Sequence, residues 1–201
     1  GTLASAVDAS AASPGLPLTF SRSFGNTIGQ RYSAGPFGRG WNTSWQQFAE
    51  PRADGTVIVH ESADAERRFQ PDSRHANTFF SQTGDTGTLR RVTGGAFELT
   101  ETSGFVTRFL ADGRLDLVRD TYGNTITAGY MNNRITSLTH SDGLTLGITY
   151  NSAGQIASIT DPFGRITTFD YDPTDSLLLT ATDLAGTTTY TYSTGNGAAR
   201  E

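Results

Sequence analysis

Gly154-Gln-Ile-Ala-Ser-Ile-Thr-Asp-Pro-Phe-Gly-Arg-Ile-Thr-Thr-Phe-Asp-Tyr171 is the stretch that decides the fold. It reads as an aliphatic strand, a turn carrying Asp and Gly, and a Thr-rich strand closing on Tyr. The same unit occurs four times between Gly113 and Tyr192. Its closing tyrosines, Tyr130, Tyr150, Tyr171 and Tyr192, step by 20, 21 and 21 residues. The turn glycines Gly123, Gly143, Gly164 and Gly186 step by 20, 21 and 22, and the aliphatic openers Leu115, Ile135, Ile156 and Leu177 by 20, 21 and 21. Three markers in phase on one period identify a tandem array. Each unit reads as a β-hairpin. In the quoted unit Ile156, Ser158 and Thr160 share one face of the first strand, and Ala157 and Ile159 the other. Thr167, Phe169 and Tyr171 oppose Ile166, Thr168 and Asp170 on the second strand. Both faces then carry apolar residues. A lone hairpin is marginal in water, so the array is expected to form one continuous, strongly twisted antiparallel sheet.

Upstream the chain is also β-rich. Residues 1–16 are small and polar and read as a linker with little to bury. Residues 17–112 read as a β-rich lead-in domain. Pro17-Leu-Thr-Phe-Ser-Arg-Ser-Phe24 alternates as a half-buried strand. Gly25–Gly40 is turn-rich, and Trp41–Phe48 is read as a strand with Trp41, Thr43 and Trp45 on one face. Short strands follow over Thr56–Glu61, Glu66–Gln70, Asn77–Gln82, Leu89–Thr93, Ala96–Glu101 and Phe105–Leu110. Gly94-Gly95 suits a two-residue primed hairpin turn. No window repeats apolar residues at helical spacing, and any helical turn is expected near Ser62–Ala65. Residues 113–192 are the four repeats. Residues 193–201 read as a tail or the start of further repeats, because a sheet built from hairpins ends on an open edge. That edge makes self-association of the isolated chain an expectation.

Composition narrows the function. The chain has 201 residues, a net charge of −5, 15 basic residues that are all Arg, and no Cys. This is no basic footprint for nucleic acid, and there is no lysine for Schiff-base or phosphate-loop chemistry. Without Cys there is neither a disulfide nor a thiolate nucleophile. No segment is apolar enough for a membrane span, and no signal peptide is visible.

The repeats resemble the Rhs, or YD-repeat, family. The resemblance rests on Gly113-Arg-Leu with Asp120-Thr-Tyr-Gly-Asn124, on Asp161-Pro-Phe-Gly-Arg165 with Phe169-Asp-Tyr-Asp172, and on Asp183-Leu-Ala-Gly186 with Tyr190-Thr-Tyr192. Leu16–Phe24 and Gly35-Pro-Phe-Gly-Arg-Gly-Trp41 look like the domain that precedes the repeats in bacterial Rhs proteins. Ser141-Asp142-Gly143 departs from the longer Asp-x-x-Gly turn. The resemblance implies repeats that wind as a spiralling β-sheet into a hollow shell. In polymorphic toxins such a shell encloses a C-terminal toxic domain, so the expected partners are further repeats and a toxin or effector domain of the same polypeptide. It also implies secretion, delivery by a bacterial secretion system, or a place at the cell surface. Some relatives are associated with carbohydrate binding, which gives the alternative of a glycan- or partner-binding module.

Candidate chemistry is sparse. Many Rhs shells carry a self-cleaving aspartyl site written Asp-Pro-x-Gly, eighteen residues, Asp-Pro-x-Gly. Asp161-Pro-Phe-Gly164, residues 165–182 and Asp183-Leu-Ala-Gly186 keep that spacing. Paired carboxylates divide acid and base roles when they share a proton. The repeat period accounts for the spacing, Leu184 replaces the second proline, and no Gly-Gly-x-Asn-x-Tyr stretch follows. His60, His75 and His140 are scattered and make no metal pattern. Glu61, Asp64 and Glu66 lack calcium-loop spacing. Asn42-Thr-Ser44 is a short sequon match, and Gly35–Gly40 lacks the Lys and helix of a phosphate loop. The expectation is a non-enzymatic structural protein with no catalytic, cofactor or metal residues and no cofactor. The aromatics Trp41, Trp45, Tyr122, Tyr130, Tyr150, Tyr171, Tyr190 and Tyr192 fill the pleat in that reading. In the alternative they line an open groove for sugar rings.

Overall fold

The structure, a computed structural model, describes residues 2–62, 65–192 and 199–200. Strands take 55% and helix 5% of the described residues, so the all-β expectation is met. The first part comprises β1 (Thr2–Ala11), β2 (Leu18–Gly25), a one-turn helix α1 (Ile28–Tyr32), the short pair β3 (Ala34–Gly35) and β4 (Gly38–Arg39), and β5 (Trp41–Thr43). Next come β6 (Phe48–Pro51), β7 (Val57–His60), β8 (Glu66–Pro71), β9 (Thr78–Ser81), β10 (Thr88–Arg91), β11 (Phe97–Thr100) and β12 (Val106–Phe109). The repeats supply β13 (Leu115–Arg119), β14 (Thr125–Met131), β15 (Arg134–His140), β16 (Thr145–Tyr150), β17 (Ile156–Thr160), β18 (Ile166–Tyr171), β19 (Leu178–Asp183) and β20 (Gly186–Thr189). Thr191–Tyr192 and Ala199–Arg200 pair as β21 and β22.

β6 to β20 form one 15-stranded antiparallel sheet in sequence order. The sheet crosses residues 112 and 113 without a break, because β12 pairs with β13. A turn aspartate fixes most repeat hairpins. Oδ1 of Asp120 accepts from the amides of Tyr122 and Asn124, and Oδ1 of Asp161 from those of Phe163 and Arg165. Asp142 serves the same turn in the shorter second unit, accepting from Leu144 N.

A one-residue bulge sets the phase of each opening strand. Tyr150 pairs with Ile156, yet Thr149 pairs with Ser158, so Ala157 is the extra residue. Asp116, Thr136 and Leu179 are the extra residues of β13, β15 and β19. A bulge shifts the alternation by one, so the opener and the residue three further on both point inward. Ile156 and Ile159 are buried together, as are Leu115 and Val118. Strict alternation assigned Ile156 and Ile159 to opposite faces, and the bulge is the physical reason that assignment fails. On β18 Thr167 and Phe169 are buried while Ile166 and Thr168 are exposed, as alternation requires. The last opener is Leu178, fully buried against Tyr171. Leu177 falls one place short because the preceding turn is longer: Asp172 N bonds Leu177 O, where Asn151 N bonds Gln155 O one unit earlier.

The sheet curls onto itself. After the seven strands β6 to β12, the turn before β13 returns to β6: Ala49 N donates to Gly113 O at 2.8 Å, and Phe48 bridges Arg114. Gly113 has φ +89, and a Cβ there would lie 2.0 Å from Ala49 O, so only glycine permits this seam. Val57, Val59, Phe69, Leu89, Phe97, Leu99 and Phe109 fill the inner side of the curl.

The lead-in covers the inner face of the repeats. β1, β2 and β5 form a three-stranded sheet. Phe37 meets Phe169 edge-on at 5.0 Å, and Trp41 meets Tyr190 at 5.1 Å. The linker expected over residues 1–16 is therefore a correction: residues 2–11 form a strand, with Ala9 and Ala11 in the core. Small side chains let β1 lie close to the repeats, which its polar composition concealed. The strand expected over Trp41–Phe48 ends at Thr43, and a turn carries Trp45. The one-turn helix lies at Ile28–Tyr32, started by a capping box between Thr27 and Gln30; of the stretch expected to turn, residues 63 and 64 lie outside the described residues. The connection at Gly94-Gly95 has three residues, Thr93–Gly95, closed by Val92 N to Ala96 O, with both glycines at positive φ. Residues 193–198 and 201 lie outside the described residues.

Candidate functional site

A cleft of about 400 Å³ lies between the lead-in and the first repeats. An Asn132-Asn133 hairpin turn, with φ of 49 and 66, joins β14 to β15 and sets Asn133 and Arg134 at its rim. Trp45, Phe48, Tyr130 and Tyr150 wall it. Arg114 lies over the Tyr130 ring at 4.6 Å, and Arg134 over the Tyr150 ring at 5.5 Å. Each of these arginines directly precedes the opener of its unit. Phe48 stacks on His60 at 4.1 Å. Trp45 Nε1 donates to Thr19 O at 3.0 Å.

The closing tyrosines are structural clamps. Tyr130, Tyr150 and Tyr171 donate to the carbonyls of Leu115, Ile135 and Ile156, at 2.7, 2.8 and 2.7 Å. Tyr192 donates to Leu178 O at 2.7 Å. Burial pushes the phenols of Tyr130, Tyr150 and Tyr192 up to about 12, with Arg114, Arg134 and a hydrogen bond from Trp41 respectively pulling the other way. Burial raises Tyr171 as well. Tyr190 is buried and Tyr122 exposed.

A second site lies under the lead-in. The β1 bulge makes Asp8 the extra residue between Val7 and Ala9, which leaves Val7 exposed and turns Asp8 inward. Arg22 Nε donates to Asp8 Oδ1 at 3.0 Å, with side-chain exposures of 2% and 3%. Arg22 Nη2 donates to Tyr190 OH at 2.8 Å, and the guanidinium lies within 6 Å of Phe37, Trp41, Phe169 and Tyr190. Burial raises Asp8 to about 6, Arg22 opposes the shift and Asp183 adds to it. Spacing in the sequence gives no sign of Asp8 or Arg22; only the bulge and the tertiary fold bring them together.

The aspartates singled out by spacing sit in separate turns. Asp161 and Asp183 line one shallow depression with Asp8. Burial works to raise Asp161, but hydrogen bonds from the Arg165 backbone and side chain and from Phe163 N outweigh it, and the carboxyl stays below its usual value. Asp183 Oδ1 accepts from Ala185 N. Each carboxylate is thus engaged by its own turn. His60 lies between Glu50 and Glu66, His75 contacts Asp72, and buried His140 joins Asp142 N to Pro14 O. Glu61 pairs with Arg67, which also holds Asp85 and Glu101; Asp64 lies outside the described residues. Asn42 is buried, so the sequon is closed to modification as folded. Gly35–Gly40 docks the repeats instead of a phosphate: Pro36 O accepts from Ile156 N and Arg39 N donates to Ser176 O. Among the described residues no helix is long and apolar enough to cross a membrane.

Two family models match. Residues 150–188 match the RHS Repeat, and residues 2–69 match a domain of unknown function (DUF6531). The second match begins at β1, in keeping with that strand's place in the lead-in sheet. No curated protein matches the chain. Repeat and lead-in occur here in one chain with clamped, bulged hairpins, and the chain is a structural Rhs/YD-repeat protein with a lead-in domain ahead of its repeats.

Proposed function

We propose that this chain is a non-enzymatic wall segment of a hollow β-shell that encloses a C-terminal toxin or effector of the same polypeptide, outside the cell or at its surface. The carrying observation is the seam at Ala49 and Gly113, where the sheet returns to its own first strand after seven strands. A ribbon that meets itself this way and gains two strands per unit climbs as a spiral while keeping its backbone groups paired. The repeated tyrosine clamp gives each added unit the same geometry. The Asp161 and Asp183 carboxylates are held in their turns, which supports a wall without proteolytic chemistry.

The test is limited proteolysis of the full gene product, followed by mass analysis. The expected result is a resistant particle whose C-terminal domain is cut only after the shell is unfolded. A C-terminal domain cleaved as fast in the whole protein as when free overturns the shell. A product no longer than this chain does the same, since so few units cannot enclose a domain.

A further inference from the structure

We infer that the cleft between the lead-in and the first two repeats is a binding site for a short peptide segment that carries a carboxylate beside an apolar side chain. This goes beyond the shell reading and does not depend on it. Charge carries the first half of the inference. The chain has a net charge of −5, yet among the described residues no Asp or Glu lines this cleft. Arg114 is already matched, with Asp112 Oδ2 at 2.7 Å from its Nη2. Arg134 has no carboxylate partner among the described residues and is exposed at the rim. Its Nη2 lies beside Gly154, where a Cβ would stand 2.3 Å away. A guanidinium backed by a tyrosine ring is held in place and offers its fork to a carboxylate.

Ring availability carries the second half. Sugar recognition by stacking needs a free aromatic face. Here Arg114 and Arg134 lie over the tyrosine rings and Phe48 faces His60, so of the four wall aromatics Trp45 alone has no ring or cation against it among the described residues, one ring and not a platform. What the cleft offers is a mixed apolar wall with side-chain amides from Gln46, Gln47 and Asn133. An apolar side chain fits the wall, and amides suit the peptide groups on either side. The carboxylate then meets Arg134 in the fashion of acidic-motif recognition.

The test is calorimetric titration of the whole chain with acetyl-Phe-Glu-amide, acetyl-Phe-Gln-amide and D-glucuronate. Saturable binding of the Glu peptide is expected, with the Gln peptide about tenfold weaker. Arg134→Gln is expected to abolish that preference while leaving the melting temperature unchanged, because the side chain is exposed. Equal binding of the two peptides, or a preference that survives in Arg134→Gln, overturns the inference. So does glucuronate binding more tightly than the Glu peptide, which would make the cleft an acidic-sugar site. Absence of saturable binding by all three probes also overturns it.

Discussion

Tyr150 serves the repeat through both ends of its side chain: the ring backs Arg134 and the hydroxyl holds Ile135 O at 2.8 Å. Tyr150→Phe keeps the ring and orphans one carbonyl, so a loss of about 1 kcal/mol is expected in urea unfolding. Phe109 supports a small figure. It takes the tyrosine's place opposite the β13 bulge, pairs with Leu115 and is fully buried without a hydroxyl. Phenols held near 12 contribute stability that is whole below pH 10 and lost as pH rises toward 12. Absorbance titration should therefore show these tyrosines ionising together with alkaline unfolding. Asp8 has the opposite consequence for an acid. Its folded value of about 6 exceeds the unfolded 3.8, so its contribution is greatest below pH 4 and declines as pH rises to 6. Asp8→Asn removes that slope. The stability gap between wild type and variant is expected to narrow by about 2 kcal/mol from pH 4 to pH 6, followed by urea unfolding at each pH. A gap independent of pH would mean that Asp8 stays ionised beside Arg22.

At the scale of elements, the seam separates two kinds of turn glycine. Gly113 and Gly143 both have positive φ, but a Cβ at Gly113 meets Ala49 O at 2.0 Å and one at Gly143 meets nothing within 4 Å. Gly143→Ala is expected to cost the backbone strain alone, about 1–2 kcal/mol. Gly113→Ala must also part β6 from the turn, and a loss at least twice as large is expected in chemical denaturation. Equal losses would mean that the seam contributes nothing. The hairpins themselves were legible, because Asp, Gly and Tyr recur on a period that local turn chemistry enforces. The bulge was not: Asp116, Thr136, Ala157 and Leu179 share no residue type, since a bulge is fixed by pairing across strands. Strict alternation therefore misassigned Ile159. The same holds at Asp8, where a bulge turns a carboxylate in a seemingly polar linker toward the core. The capping box of α1, Thr27-x-x-Gln30, is a local signal that the reading of Gly25–Gly40 as turns passes over, which puts the expected helical turn near Ser62–Ala65 instead. The Arg134 cleft joins a turn in the repeats to aromatics of the lead-in, a distance in sequence that no local pattern spans.

The whole molecule is joined across its two parts by buried and part-buried contacts. Arg22 and Trp41 of the lead-in bond the hydroxyls of Tyr190 and Tyr192 at the far end of the repeats. Thr167 donates to Asp8 O, and His140 reaches Pro14 O. Phe24, Phe37 and Trp41 share one core with Ile159, Phe169 and Leu178. Neither layer keeps a covered face without the other, because lifting the lead-in would expose that core to water and leave the Arg22–Asp8 pair unsheltered. A domain boundary in the sequence therefore need not be a boundary in stability. Both tryptophans, Trp41 and Trp45, lie in the part of the lead-in outside the long sheet, the cover built on β1, β2 and β5, whereas most strands belong to the long sheet. Tryptophan fluorescence thus follows the lead-in, and far-ultraviolet circular dichroism follows mainly the sheet. The expected result is one coincident transition by both probes in urea. A fluorescence change that precedes the loss of strand signal would mean that the lead-in detaches as a separate unit and that the shared core couples the layers only weakly. Arg22→Met distinguishes packing from charge: it removes the cation but leaves Asp8 buried and unpaired. A coincident transition shifted to lower urea, by about 3–5 kcal/mol, is expected.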